Sequence, residues 1–274
     1  MLTVVHGIDF SGDAQKWTPG CRRSNVWIAT AQLHDKASLK LVGLRPVQDL
    51  PGGSPPFERL VELLAGGGYC AAGIDAPFAL PARHMPDGGL PTLLQDVAEL
   101  PTDSRPFAKG AELVAYGEGN ASLEELKPLR KTERFWRGRV NVRSTLWNGP
   151  RGGAPFTAGS LTLLGRSRRP VWPWCRAAVG LLVEAFPAAQ LHHWQLPHKG
   201  YDGPDGASER ETIIEGISPR IEIADDLRVR CQESADALDS VLCLFAARAA
   251  VAGLAPVDDT TTAELEGWIA VHPQ

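Results

Sequence analysis

The sequence predicts an α/β fold: a mixed sheet flanked by helices and interrupted by a helical insertion. Three features carry that prediction. Three β-rich runs follow one another at the start of the chain with short polar breaks, a helix and a short apolar strand come next, and a long, almost wholly apolar helix lies near the end. Short links between strands favour an antiparallel meander. Strand–helix–strand makes a right-handed crossover that lays the later strand parallel to an earlier one.

Each element has its own signal. "LTVVHGIDF", "SNVWIATAQL" and "SLKLVGLRPV" are the β-rich runs of the meander. In "SPPFERLVELLAGGG" the residues Phe57, Leu60, Val61 and Leu64 recur at helical spacing, with prolines before the first turn and a glycine run after the last. "CAAGID" follows as a short buried strand. From about Pro81 to Pro173 the chain becomes rich in Pro, Gly and Arg, with short helical stretches in "AKGAELVAY" and "SLEELKPLRKTERFW". Phe135, Trp136 and Trp147 give this stretch something to bury. It reads as an insertion or lid, 81–173, set into one compact core made of 1–80 and 174–274. "AAVGLLVEAFP" returns to strand character, "ASERETIIEGI" and "PRIEIADDLRVRC" are helical candidates, and "EGWIAV" reads as a last strand or a packed tail. "ESADALDSVLCLFAARAAVAG" reads as one helix, with Ser234 as N-cap and Gly253 as its stop.

Composition excludes several classes. The 274 residues suffice for a substantial core, and the net charge of −4 rules out a wholly basic nucleic-acid binder. Five scattered cysteines without a C-x-x-C pair argue against a zinc site or a disulfide framework and fit a reducing cytoplasm. "MLTVVHGIDF" lacks the charged and apolar regions of a signal peptide, and no apolar run reaches membrane-spanning length. The expectation is a cytoplasmic protein with no membrane partner. "GGSPP" and "AGGGY" lack the Lys-Ser/Thr of a phosphate-binding loop, and Ser11 has no histidine base pattern.

The acids are the informative feature. "HGIDFSG" and "AGIDAPF" both end a strand in Gly-Ile-Asp, which places Asp9 and Asp75 at two carboxyl ends. If those strands are parallel neighbours, both acids share the sheet edge where ligands of open α/β sheets bind. Glu184 ends a third strand. Asp236 and Asp239, three residues apart, share one face at the start of the apolar helix. A strand-end aspartate is often a turn former, and Asp236 sits where the helix dipole favours an acid. Neither explanation covers Asp239, which lies beyond the first turn of a helix that is otherwise buried. Buried carboxylates need compensation, and converging ones raise each other's pKa. Oxygen ligands of this kind suit Mg²⁺ or Mn²⁺, and two such ions about 4 Å apart serve phosphodiester cleavage.

This plan resembles the RNase H-like fold. The motifs "GIDFSG", "GIDAPFALP", "EAFPAAQL", "ADALDSVLCLFAARAA" and "EGWIAV" further resemble, over most of the chain and in order, an uncharacterised family of predicted RNase H-like nucleases, domain of unknown function 429. The resemblance implies that Asp9 is the first-strand aspartate and Asp75 the fourth-strand acid. It implies that Asp236 and Asp239 are the paired acids of the last helix in the resolvase branch. The implied metal ligands are thus Asp9, Asp75, Asp236 and Asp239. Resolvases carry Glu where Asp75 stands, so the carboxylate here reaches one methylene less. Glu184 enters the catalytic set as a family motif.

Basic residues supply substrate candidates. Arg130, Lys131, Arg134 and Arg137, interleaved with Trp136, suit phosphate neutralisation and base stacking, and Arg130 and Arg134 could hold a phosphate as a pair from one helix face. Arg139, Arg143, Arg166, Arg168, Arg169 and Arg176 extend the basic stretch beside Trp172 and Trp174. The plainer alternative is a solvated helix face with tryptophans packing the insertion. His192 and His193 follow Glu184 closely and could reach the site edge, while the plainer reading makes them surface or interface residues. Three functions follow: a metal-dependent nuclease acting on DNA or RNA; a nucleotide-binding phosphotransferase or phosphohydrolase akin to actin-like and sugar-kinase proteins, which share a "GID-x-G" opening strand; and a binding module that keeps the fold without metals.

Overall fold

The computed structural model of the chain describes residues 3–34, 38–176 and 179–274. Six strands, β1 (Val4–Asp9), β2 (Trp27–His34), β3 (Ser38–Pro46), β4 (Ala71–Asp75), β5 (Leu181–Glu184) and β6 (Ile221–Glu222), form one mixed sheet in the order β5-β4-β1-β2-β3-β6. The meander β1–β2–β3 is antiparallel. Helix α1 (Pro56–Ala65) carries the chain across so that β4 lies parallel to β1, and β5 adds in parallel outside β4. The α/β class, the meander and the parallel strands are those the sequence predicts.

Strand alternation divides the core in two. Val5, Ala71, Leu181 and Val183 face one side and pack with Leu238, Val241, Leu242 and Phe245 of α9 (Ala235–Val251). Ile8, Ala72, Ile74 and Leu182 face the other side and pack with Phe57, Leu60 and Leu64 of α1 and with Leu161 and Leu164 of α5 (Ala154–Ser167). The segment 81–173 contributes α2 (Gly89–Ala98), α3 (Gly110–Asn120), the short α4 (Lys131–Trp136) and α5. Leu90, Leu93, Phe107 and Leu113 of this segment belong to the same apolar cluster as Ile8 and Ile74. The layer is completed by α6 (Pro187–His193), α7 (Ala207–Ile217), α8 (Asp225–Glu233) and α10 (Thr260–Glu266).

Two local expectations are corrected, and the structure chooses between the two readings of a third. "SLEELKPLRKTERFW" is helical only over α4, because Pro128 interrupts the pattern and the residues before it are bends and irregular backbone. "PRIEIADDLRVRC" is not one helix but β6 followed by α8. "EGWIAV" is the packed tail: no strand is assigned there, yet Trp268 to Val271 are buried and the Ala270 N–H donates to the Glu184 carbonyl at 2.9 Å. The strand expected in "AAVGLLVEAFP" is β5, and residues 177 and 178 of that run lie outside the described residues, as does residue 2 of the first run. The long helix starts after Ser234, whose side chain accepts from the Ala237 N–H, and Gly253 follows its end at φ 66°. Among the described residues no helix is long and apolar enough to cross a membrane.

Candidate functional site

The two Gly-Ile-Asp motifs build the site through strand parity. Gly7 pairs with Gly73, Ile8 with Ile74 and Asp9 with Asp75 across the parallel β1–β4 ladder. Side chains two apart point the same way, so each isoleucine enters the α1/α5 core while each glycine and aspartate faces α9. A β-carbon at Gly7 would overlap the Ser240 carbonyl oxygen, and one at Gly73 would overlap that of Cys243. The glycines therefore let the α9 backbone lie directly on the sheet. Two residues further on, the aspartates emerge where α9 begins, at Asp239.

Among the described residues Asp9, Asp75 and Asp239 each offer a carboxylate oxygen, and these oxygens lie within 4.8 Å of one another. Asp9 is 7% exposed, and the other two are half-buried. Burial, the charge of Asp239 and the charge of Asp75 push the Asp9 carboxyl well above the ordinary range. Burial and then the charge of Asp75 do the same to Asp239. Asp75 is pushed up to about 7, first by burial, with Arg143 opposing and Glu184 adding. The Tyr201 hydroxyl donates to Asp239 Oδ1 at 2.9 Å. Three hard oxygen donors on three rigid elements match the donor chemistry of Mg²⁺ or Mn²⁺, whose charge would offset the repulsion between them.

The other predicted acids are placed differently. Asp236 lines the same cleft but is not one of the three clustered carboxylates; burial raises its pKa and Lys16 lowers it. Glu184 pairs with Ile74, one position short of Asp75, so parity turns it to the opposite face. There it accepts the Phe78 N–H at 3.0 Å and receives Arg130 Nη1 at 2.7 Å. Asp9, Asp75 and Glu184 thus share an edge without sharing a centre.

The basic candidates also separate. Arg130 is fully buried; its guanidinium is bound to Glu184 and Glu133, so the phosphate pair expected of Arg130 and Arg134 does not form. Burial alone would pull Arg130 down, and the carboxylates of Glu184 and Glu133 more than offset it. Trp136 is 4% exposed and packs with Val140, Ala189 and Ile269, leaving no ring face for a base. Lys131 pairs with Asp259 and lines, with Arg134 and Phe135, a separate groove beside α10; Arg137 lines another beside Leu126 and Val140.

The acidic centre opens into a cleft of about 460 Å³. Arg143, Lys199 and Tyr201 line it from two loops distant in sequence, together with Asn25 and Phe156. Arg143 belongs to the basic stretch visible in the sequence; Tyr201 and Asn25 carry no local signal, because only the tertiary fold brings them to the strand ends.

The sequence model of the family described as "Protein of unknown function (DUF429)" matches residues 7–262. That covers most of the chain, and the chain belongs to this family. No curated protein and no solved structure matches it.

Proposed function

We propose that this DUF429 chain is a metal-dependent hydrolase that cleaves phosphodiester bonds of nucleic acid in the cytoplasm. Asp9, Asp75 and Asp239 would hold Mg²⁺ or Mn²⁺, with Asp236 at the rim. The observation that carries the proposal is the gathering of three carboxylates from β1, β4 and α9 within 4.8 Å, each with its pKa raised. Leaving three such groups together without a cation costs free energy, and folds retain that cost at working sites. The ordered acids on a meander, a crossover strand and a late helix support an RNase H-like nuclease over other metal hydrolases. When bound there, a divalent ion supplies positive charge that lowers the pKa of a water and neutralises a leaving oxygen. The chain's own part is to hold the acids rigidly. Tyr201 fixes the Asp239 carboxylate through its hydrogen bond, and the α9 helix fixes it against the sheet.

The loop after β1, on which the nucleotide-kinase alternative depends, packs closely against the start of α5: a β-carbon at Gly12 would meet the backbone of Pro155 and Phe156. Titration calorimetry with Mn²⁺, paired with cleavage of labelled DNA and RNA oligonucleotides, tests the proposal. The parent should bind Mn²⁺ and cleave, and Asp9→Asn should do neither. Cleavage by Asp9→Asn at the parent rate would sink it, as would ATP binding without any nuclease activity.

A further inference from the structure

The shape and lining of the cleft bear on which phosphodiester it takes. At about 460 Å³ it lies in the size range of small-ligand pockets, and its acids run from the buried Asp9 to the half-buried Asp75, Asp236 and Asp239. The basic residues that would track a long phosphate backbone are engaged or placed elsewhere: Arg130, though it borders the cleft, is buried and ion-paired with Glu133 and Glu184, Lys131 is paired with Asp259, and Arg134 lines the groove beside α10. What the cleft offers is local. Arg143 lines the cleft together with Asp9 and Asp75 and rests over the Phe156 ring at 5.0 Å. Phe156 and Phe186 are half-buried aromatics on the wall. The Asn25 side-chain oxygen is a buried acceptor with no hydrogen-bond partner among the described residues, so it suits a ligand that brings a donor as well as an anion.

We infer that the cleft takes single-stranded nucleic acid, with one phosphate seated between Arg143 and the Asp9–Asp75 edge, a neighbouring base against the aromatic wall, and a sugar or base donor on Asn25. The inference rests on the hydrolase reading for chemistry but not for binding. Duplex DNA is stiff over a persistence length of about 50 nm and pays to deform, whereas a flexible single strand can bend one phosphate and its base into a cleft of this size. Stacking on aromatic faces, with cationic side chains on the phosphates, is how proteins commonly hold unpaired bases.

Fluorescence anisotropy with a labelled single-stranded oligonucleotide, in Ca²⁺ to suppress turnover, separates the two claims. The full chain should bind the single strand. An unlabelled duplex of the same sequence should compete at least about tenfold more weakly. Arg143→Ala should weaken binding by about tenfold or more, and Arg143→Lys by less. Equal competition by duplex, absence of single-strand binding, or loss of affinity on Arg134→Ala with none on Arg143→Ala would each overturn the inference. Single-strand binding through Arg143 without cleavage in Mn²⁺ would leave it standing and overturn the hydrolase reading instead.

Discussion

The carbonyl oxygen of Ser240 occupies the space that a β-carbon on Gly7 would need. Cys243 stands in the same relation to Gly73, so α9 rests on two bare strand positions, each two residues before a site aspartate. Separation between helix and sheet is thereby tied to the separation between Asp239 and its partners. Gly7→Ala should push α9 off the sheet at a cost of about 1–3 kcal/mol or more and weaken Mn²⁺ binding in the same variant. At Gly53 an added β-carbon meets nothing within 4 Å, so Gly53→Ala should be nearly silent. Melting curves for the two variants check this: equal midpoints would remove the close approach as a determinant of the site.

The raised acids give stability a pH dependence of definite sign. Asp75 moves from an ordinary 3.8 to about 7, so the folded chain binds a proton more tightly than the unfolded chain between those values. Its favourable contribution is complete below the unfolded pKa and is lost as pH rises through the folded one. Asp9 and Asp239 act in the same direction. His6 opposes them: burial lowers its pKa to about 4, and its contribution disappears as pH falls through that value. The difference between parent and Asp75→Asn isolates the acids from His6. Asp75→Asn should therefore gain stability over the parent as the metal-free protein moves from about pH 5 to about pH 8. Mn²⁺ should stabilise the parent more at the upper pH, since ligands bind deprotonated. A difference that does not change with pH would count against a charged, crowded centre.

The two acids of α9 can be told apart by metal affinity. Asp239 lies in the cluster and is held by Tyr201, whereas Asp236 only borders the cleft. Asp239→Asn should lower Mn²⁺ affinity more than Asp236→Asn. Tyr201→Phe should fall between them, because loss of an outer hydrogen bond to a ligand typically costs about 10–100-fold in affinity. Calorimetric titrations of the three variants at one pH decide the order, and a larger loss for Asp236→Asn would move the centre toward the helix start.

Much of this geometry is legible in the sequence, for a local reason. The Gly-Ile-Asp echo fixes parity and strand end together, and the i, i+3 spacing fixes a helix face, so the meeting of Asp9, Asp75 and Asp239 needs only the crossover to be right. Glu184 fails the same reading by one residue of register, which no pattern within "LLVEAFP" could reveal. Arg130 fails it for another reason. Its partner Glu184 is 54 residues away and the Glu266 carbonyl it contacts is 136 away, so a charged residue in a basic stretch reads as exposed until the fold closes around it. Tyr201 reaches Asp239 across 38 residues and is equally silent locally.

Arg130 is therefore the residue whose variant best separates structure from substrate contact. It holds Glu184 and Glu133 in a region closed to solvent, and Glu184 in turn accepts the Phe78 N–H just after β4 and, through its backbone carbonyl, the Ala270 N–H of the tail. Glu133 is already pushed up to about 7 by burial, with Arg130 opposing. Removing the cation leaves two buried carboxyls, one of them tied to the loop after Asp75. Breaking such a buried pair from one side costs about 3–5 kcal/mol, so Arg130→Met should lower the melting midpoint severely near neutral pH. Mild acid, by protonating the stranded carboxyls, should return part of the loss. The pair Arg130→Met with Glu184→Gln should likewise recover part of it, since the second change removes one of the unpaired charges. Thermal melts of the single and double variants at two pH values carry the test. A stable Arg130→Met protein with weakened oligonucleotide binding would return this arginine to the substrate side of the cleft.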